Sequence, residues 1–236
     1  MTASPSRQFP RWMRKLRSLG DPQVRAGMTR FGIKTRRALG ISVPVLRQLA
    51  REIGEDHALA QELWESGIHE ARILAALIDD PTEVSERQME RWAADFDSWD
   101  TCDACCGNLF DRTPLAFQKA EEWSRRQGEF VKRAGFALMA ALAVHDKGAK
   151  NSAFLAFLPI IRRQSNDSRN FVKKGVNWAL RQIGKRNQAL NQAAIRTARQ
   201  IREAGSPAGR WIASDALREL SSAVVQRRVA AGLSLH

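Results

Sequence analysis

The sequence contains no tyrosine, only three cysteines and no apolar run of about 18 residues. Without tyrosine, no site in the chain can use a phenolic hydroxyl. The lack of a long apolar run excludes a membrane-spanning helix, which needs about 20 consecutive apolar residues. Residues 1–10 are polar and carry no hydrophobic segment of the kind that directs secretion. We therefore expect a disordered tail over residues 1–10, a single domain over residues 11–236, and a cytoplasmic location.

The three cysteines lie within five positions of one another, as Cys102, Cys105 and Cys106. Their odd number excludes a framework of disulfides. A C-x-x-C pair can indicate zinc or redox chemistry, but no second pair exists, and His69 and His145 lie far away in the sequence. We interpret the three cysteines as packing residues inside a helix and expect neither a metal nor a cofactor.

Acidic residues are scarce, with 25 Asp and Glu against 38 Lys and Arg, a formal net charge of +13. Such a charge attracts nucleic acid, acidic lipid or acidic protein, and nucleic acid is the favoured partner. One segment opposes this balance, because residues 95–103 place four aspartates around Phe96 and Trp99. An acidic cluster is out of place on a surface that holds polyanions. It therefore indicates either buried structure or chemistry.

Apolar residues recur at spacings of three and four along most of the chain, which predicts helices that each bury one face. No segment alternates as a strand would. These spacings occur in 45–53, 60–66, 68–78, 115–123, 130–144, 171–183 and 211–220. Helices of this length with short connections predict either a helical bundle or a stack of helix pairs.

An internal repeat favours the stack. The segment that begins at Phe130 is echoed at Phe171, 41 positions later, and more weakly at Trp211. This period lies in the range of roughly 40–47 residues that is typical of HEAT and armadillo arrays. We therefore predict an all-α fold, a right-handed α-solenoid of HEAT-like repeats with a concave DNA-binding groove. A bundle remains the alternative.

The repeat can be put in register if the aromatic residue that opens each second helix is taken as the origin, with Trp99 as its fourth instance. Asp103, Arg133 and Trp178 then lie within about 100° of arc on one side of their helices. Lys174 and Arg218 lie within the same arc. In a solenoid the second helices line the concave surface. The register predicts a groove that contains a carboxylate, tryptophans and cations.

Five groups of residues carry a resemblance to a known family. They are Gly40-Ile41-Ser42-Val43-Pro44, Leu63-Trp64-Glu65, Ser98-Trp99-Asp100-Thr101-Cys102-Asp103, Phe130-Val131-Lys132-Arg133-Ala134, and Phe171-Val172-Lys173-Lys174 with Asn177-Trp178-Ala179-Leu180-Arg181. In this order, over roughly residues 25–225, the sequence resembles the DNA alkylation repair glycosylases of the AlkD-like, HEAT-like-repeat family.

The resemblance implies a site made of an aspartate, two tryptophans and an arginine. Matched by motif, these are Asp103, Trp99, Trp178 and Arg133. Some members of the family also place a tyrosine near the amino end of the cleft. Since this chain has no tyrosine, Phe31 is the nearest aromatic candidate for that position.

The implied reaction suits these residue types. A purine alkylated at a ring nitrogen is cationic and leaves readily, so an enzyme needs mainly to stabilise the positively charged sugar and position a water molecule. Asp103 could do both, by electrostatics and as a general base. The faces of Trp99 and Trp178 attract cations. The chain is thus expected to be a monofunctional glycosylase, acting as a monomer on alkylated double-stranded DNA.

The remaining predictions concern binding and alternatives. Arg133 is expected to contact a phosphate near the lesion, and cations of the second repeat are expected to line the groove. Together with Phe31, the predicted DNA-binding residues are Lys132, Lys173, Lys174, Arg181 and Lys185. The other acids of residues 95–103 are interpreted as helix caps or structural partners. Two further hypotheses stay open: a non-catalytic solenoid that binds damaged or branched DNA, and a scaffold that binds acidic proteins.

Overall fold

A computed structural model of the chain describes residues 8–231, which are helical and contain no strand, so the predicted all-α class is confirmed there. Two compact units divide the chain, Met1–Thr113 and Pro114–His236. The first contains α1 (Phe9–Ser18), α2 (Pro22–Met28), α3 (Val43–Ile53), α4 (His57–Glu65), α5 (His69–Ile78), α6 (Glu86–Ala94) and α7 (Trp99–Asn108). The second contains α8 (Ala116–Ser124), α9 (Glu129–His145), α10 (Asn151–Gln164), α11 (Asn170–Gly184), α12 (Gln188–Glu203), α13 (Pro207–Leu220) and α14 (Ala223–Ala230).

The tail predicted over residues 1–10 overlaps the first helix. Residues 1–7 lie outside the described residues, whereas Phe9 and Pro10 already belong to α1. The single domain predicted over residues 11–236 stays a prediction. Among residues 8–231, no helix combines the length and the apolar character that crossing a membrane requires.

Aromatic stacking organises the core of the first unit. The rings of Trp64 on α4 and Trp92 on α6 stack with centroids 4.0 Å apart and planes 2° apart. Phe96 and Phe110 pack against this pair at centroid distances of 6.1 Å. Helix α5 lies beside α3, α4 and α7. Trp64 and Trp92 are fully buried and belong to the core, and Trp12 is buried in the same unit.

The second unit has two layers of helices. Helix α11 packs between α9 and α13, while α10 packs against α8 and α12. The equivalent residues Phe130 and Phe171 are in contact, with ring centroids 5.4 Å apart. Residues at equivalent positions of successive repeats come into contact in this way when the repeats stack side by side. The 41-residue echo therefore marks equivalent places in neighbouring helix pairs.

Trp211 differs from its predicted position. Helix α13 begins at Pro207, where the hydroxyl of Ser206 accepts a hydrogen bond from the Gly209 N–H at 3.0 Å. Trp211 is thus the fifth residue of its helix and does not open it. Trp211 is also exposed and is not part of the buried core.

The three cysteines are buried on α7, as predicted for packing residues. Burial raises the pKa of the Cys105 and Cys106 thiols well above the usual range. These thiols are therefore protonated at neutral pH and are poor nucleophiles and metal ligands.

A buried carboxylate fastens the segment between α2 and α3. Glu70, at the start of α5, accepts hydrogen bonds from the backbone N–H groups of Leu39 and Gly40 at 2.7 Å and of Ile41 at 3.3 Å. Gly40 has φ +86°, and a Cβ atom there would lie 2.1 Å from the carbonyl oxygen of Asp21. Only glycine fits this turn, which brings three N–H groups onto one carboxylate.

Replacement of Glu70 by alanine tests this anchor. Glu70→Ala leaves three backbone N–H groups without their charged acceptor, so we expect the free energy of unfolding to fall by about 3 kcal/mol. Urea denaturation followed by circular dichroism measures the change. Glu52→Ala removes an exposed carboxylate from α3 and is the control. Equal losses in the two variants would contradict the anchoring role.

Candidate functional site

Two predicted site residues share one face of α7. Trp99 is its first residue and Asp103 follows one helical turn later, and both side chains are half-buried. The indole Nε1–H of Trp99 donates a hydrogen bond to the carbonyl oxygen of Phe31 at 2.9 Å. Phe31 lies in a 3-10 turn, and its own ring is 66% exposed. The first unit therefore brings together Phe31, Trp99 and Asp103.

Two other aspartates of residues 95–103, Asp95 and Asp100, have structural partners. Asp95 accepts hydrogen bonds from the indole of Trp64 at 2.9 Å and from Arg72 at 3.1 Å. Asp100 bonds to Nε2 of the buried His69 at 2.9 Å. The capping position before α7 belongs to Ser98, so Asp95 and Asp97 do not cap this helix. These contacts support the interpretation of Asp95 and Asp100 as structural partners.

Arg133 and Lys132, which were predicted to contact DNA, are both buried in the second unit. The Arg133 guanidinium donates a hydrogen bond to the carbonyl oxygen of Phe171 at 2.8 Å. The ammonium of Lys132 forms an ion pair with Asp167 at 3.0 Å. Helix α9 thereby uses both cations to contact the next repeat. Burial and pairing weaken the case for Lys132 as a DNA-binding residue, because a charge held by a carboxylate is not available to phosphate.

The cations predicted on α11 fall into two groups. Arg181 and Lys185 both pair with Glu219 at 2.6 Å, so α13 neutralises them. Lys173 lies 4.8 Å from the centre of the Trp211 ring, and Lys174 is exposed. Trp178 is half-buried on the same helix. Lys173 and Lys174 are therefore better placed than the paired cations to attract phosphate.

The sequence pattern missed a group of cations in the first unit. Lys34, Arg36 and Arg37 line a cleft of about 290 Å³ together with Arg72. They lie in the non-helical segment between α2 and α3, where no periodicity draws attention to them. Three cations within four positions, three residues after Phe31, were the signal that could have found them.

Metal chemistry finds no support in the described part of the chain. No group of three or more His, Cys, Asp or Glu side chains among residues 8–231 is arranged to hold a metal ion. The arrangement on α7 instead offers one carboxylate and one aromatic face. Such a pair can stabilise positive charge without a metal.

Comparison with known proteins agrees with this fold. Residues 12–220 match the family model described as "DNA alkylation repair enzyme". One solved structure has a TM-score of 0.76 and 19% sequence identity to this chain, covering 96% of this chain and 97% of its own. It is described as belonging to "a new family of proteins related to the HEAT-like repeat DNA glycosylases with affinity for branched DNA structures". That likeness shows the HEAT-like repeat fold. No curated protein sequence matches the chain.

The pair of His69 and Asp100 makes the stability of the first unit depend on pH. Burial alone would lower the pKa of His69, but the hydrogen bond and the charge of Asp100 outweigh it and raise that pKa. A raised folded-state pKa stabilises the fold fully below the unfolded value of about 6.5, and this contribution is lost as the pH rises through the folded value. His69→Gln should therefore destabilise the protein more at about pH 5.5 than at about pH 8.5.

Thermal or urea unfolding at the two pH values measures this difference. His145→Gln, at an exposed position, is the control. The same loss of stability at both pH values in His69→Gln would show that the histidine acts through packing alone.

Proposed function

The chain belongs to the family of DNA alkylation repair enzymes, and we propose that it is a monofunctional DNA glycosylase specific for cationic alkylpurines. Such a lesion, of the 3-methyladenine or 7-methylguanine type, leaves with the electron pair of its glycosidic bond and becomes neutral. Water then bonds to the sugar carbon C1′ and gives up a proton. The substrate is double-stranded DNA, so the proposed location is cytoplasmic and nucleoid-associated. A monomer suffices for this proposal.

The observation that carries the proposal is the pairing of Trp99 and Asp103 on α7. The hydrogen bond to Phe31 holds the indole ring in one orientation. Asp103, one turn further along the same face, supplies a carboxylate in a protein of net charge +13. A fixed carboxylate stabilises a developing positive charge on the sugar and accepts the proton from water. The ring adds a cation–π attraction of about 0.5–2 kcal/mol.

In the second unit we propose binding roles for Trp178, Lys173 and Lys174, and a supporting role for Arg133. Trp178 offers a half-buried aromatic face, which attracts cations. Exposed or weakly engaged lysines on α11 attract the phosphate backbone without reading sequence. Arg133 was matched to a phosphate contact, and its buried bond to Phe171 favours a supporting position for it instead.

A second candidate function is non-catalytic binding of branched DNA. The solved structure with the same fold is described as related to DNA glycosylases and as having affinity for branched DNA structures. If this alternative is correct, Asp103 has only a structural role, and the protein releases no base. The presence of an aspartate one turn after a fixed tryptophan favours the enzyme.

Replacement of Asp103 tests the proposed chemistry. Asp103→Asn removes the charge and keeps the shape, so we expect release of methylated purines to fall by about 10²–10⁴-fold, with DNA binding retained. Chromatography of bases released from methylated plasmid DNA measures the rate. Glu83→Gln removes one exposed carboxylate of the same unit outside the site, and this control should retain activity. Undiminished release by Asp103→Asn would contradict the mechanism, and no release by the parent protein would favour the branched-DNA alternative.

Two replacements of Trp99 separate its aromatic face from its hydrogen bond. Trp99→Ala removes both, and the lost cation–π attraction should slow base release by about 2–30-fold. Trp99→Phe keeps an aromatic face but loses the N–H donor to Phe31, so its rate should fall between those of the parent and the alanine variant. Single-turnover rates on methylated DNA measure both. A phenylalanine variant as slow as the alanine variant would assign the effect to ring orientation.

A further inference from the structure

The segment from Phe31 to Ile41, named here the basic loop, is fastened at both of its ends. Trp99 holds the first end through its hydrogen bond to the carbonyl oxygen of Phe31. Glu70 holds the second end through the N–H groups of residues 39–41. Residues 35–37 form a 3-10 turn between these anchors. A loop that is fixed in this way presents its side chains in a defined place.

The cations of the basic loop face a cleft and have no partner among residues 8–231. Lys34, Arg36 and Arg37 line it, and no hydrogen bond or ion pair joins their side chains to another described residue. Their charges are thus available to a ligand. By contrast, Arg72, which also lines the cleft, is engaged by Asp95. Of the lining residues within 8–231, Asp97 alone carries a carboxylate.

The floor of the cleft comes from the starts of two helices. His69 and Thr101 lie in the first turns of α5 and α7 and contribute polar side chains to the lining. Helix starts favour anions because their N–H groups carry partial positive charge. Gly67, with φ +66°, lets Arg37 approach closely, since a Cβ atom there would lie 2.5 Å from the guanidinium Nη1. The cleft thus combines unpaired cations with a polar floor.

We propose that this cleft binds one phosphate group, an internal phosphodiester of the DNA backbone. Guanidinium groups bind phosphate oxygens through paired, charge-assisted hydrogen bonds. Among the described residues of the lining, the only aromatic ring is the imidazole of His69, which is buried and held by Asp100. A base has no exposed ring to stack on there, so the ligand is a phosphate and not a whole nucleotide. The proposal rests on the proposed function only for the identity of the partner as DNA. Through Trp99, the basic loop joins this phosphate contact to the helix that carries Asp103.

The test compares two triple variants with the same change of charge. Lys34→Gln/Arg36→Gln/Arg37→Gln empties the cleft of its free cations. Arg14→Gln/Arg51→Gln/Arg87→Gln removes three exposed cations of the same unit outside the lining. Fluorescence anisotropy with undamaged duplex DNA, over a range of salt concentrations, gives the affinity and its salt dependence for each. Loss of one phosphate contact should reduce the slope of log K against log salt by about 0.9 in the cleft variant only.

Equal slopes and affinities in the two triple variants would overturn the proposal. Circular dichroism and thermal unfolding check that each variant folds, and Arg37→Gln alone replaces the triple variant if it does not. A second arm compares duplexes with 5′-phosphate and 5′-hydroxyl ends. If the parent prefers the 5′-phosphate and the cleft variant does not, the ligand is a terminal phosphate, and the assignment to an internal phosphodiester is wrong.

A third arm adds inorganic phosphate to the parent protein at constant ionic strength. Full competition with DNA at millimolar concentration would assign the cleft to free phosphate and overturn the DNA assignment. Base release from methylated DNA is measured separately. A parent without base release, together with unequal slopes, refutes the glycosylase and leaves the phosphate site. Base release together with equal slopes refutes only the phosphate site.

Discussion

The carboxylate of Glu70 is the contact on which the candidate site in the first unit depends. It is fully buried and accepts three backbone N–H groups from the turn at Gly40. A buried charge is costly unless hydrogen bonds compensate it, and here the bonds come from a loop that has no regular structure to satisfy them otherwise. One carboxylate therefore fixes a segment that helix packing alone would leave undefined. The other end of the same segment is held by the bond from Trp99 to the carbonyl oxygen of Phe31, so two contacts together fix the loop beside α7.

The second unit uses charge differently. Its repeats are joined by polar contacts at nearly constant spacing in the sequence, such as Arg133 with Phe171 and Arg181 with Glu219. Both pairs are separated by 38 positions, which reflects the stacking of equivalent helices. Many cations thus form contacts that join one repeat to the next. A high net charge in this chain is not the same as a uniformly basic surface, and the unpaired cations are the ones that matter for binding.

Much of the helical framework could be predicted from the sequence, because each helix buries one stripe and the stripe repeats at helical spacing. The echo of Phe130 at Phe171 identified residues that are in ring contact. The ion pair of Lys132 could not be predicted, since its partner Asp167 lies 35 positions away in the sequence. Only the stacking of repeats brings the two side chains together. The basic loop was missed for another reason. Its conformation depends on a distant buried carboxylate and on one glycine, neither of which leaves a periodic signal.

The hydrogen bond of Trp99 has a consequence for what the site can distinguish. An indole ring has a single donor and no acceptor, and in this chain the donor is already bound to a backbone carbonyl. The ring cannot then read the edge of a base by hydrogen bonding. What it offers is its face, which responds to positive charge and not to the identity of the base. If the proposed function holds, a site built around such a residue selects a nucleotide by its electrostatic state, so different purines that carry the same charge would be bound alike.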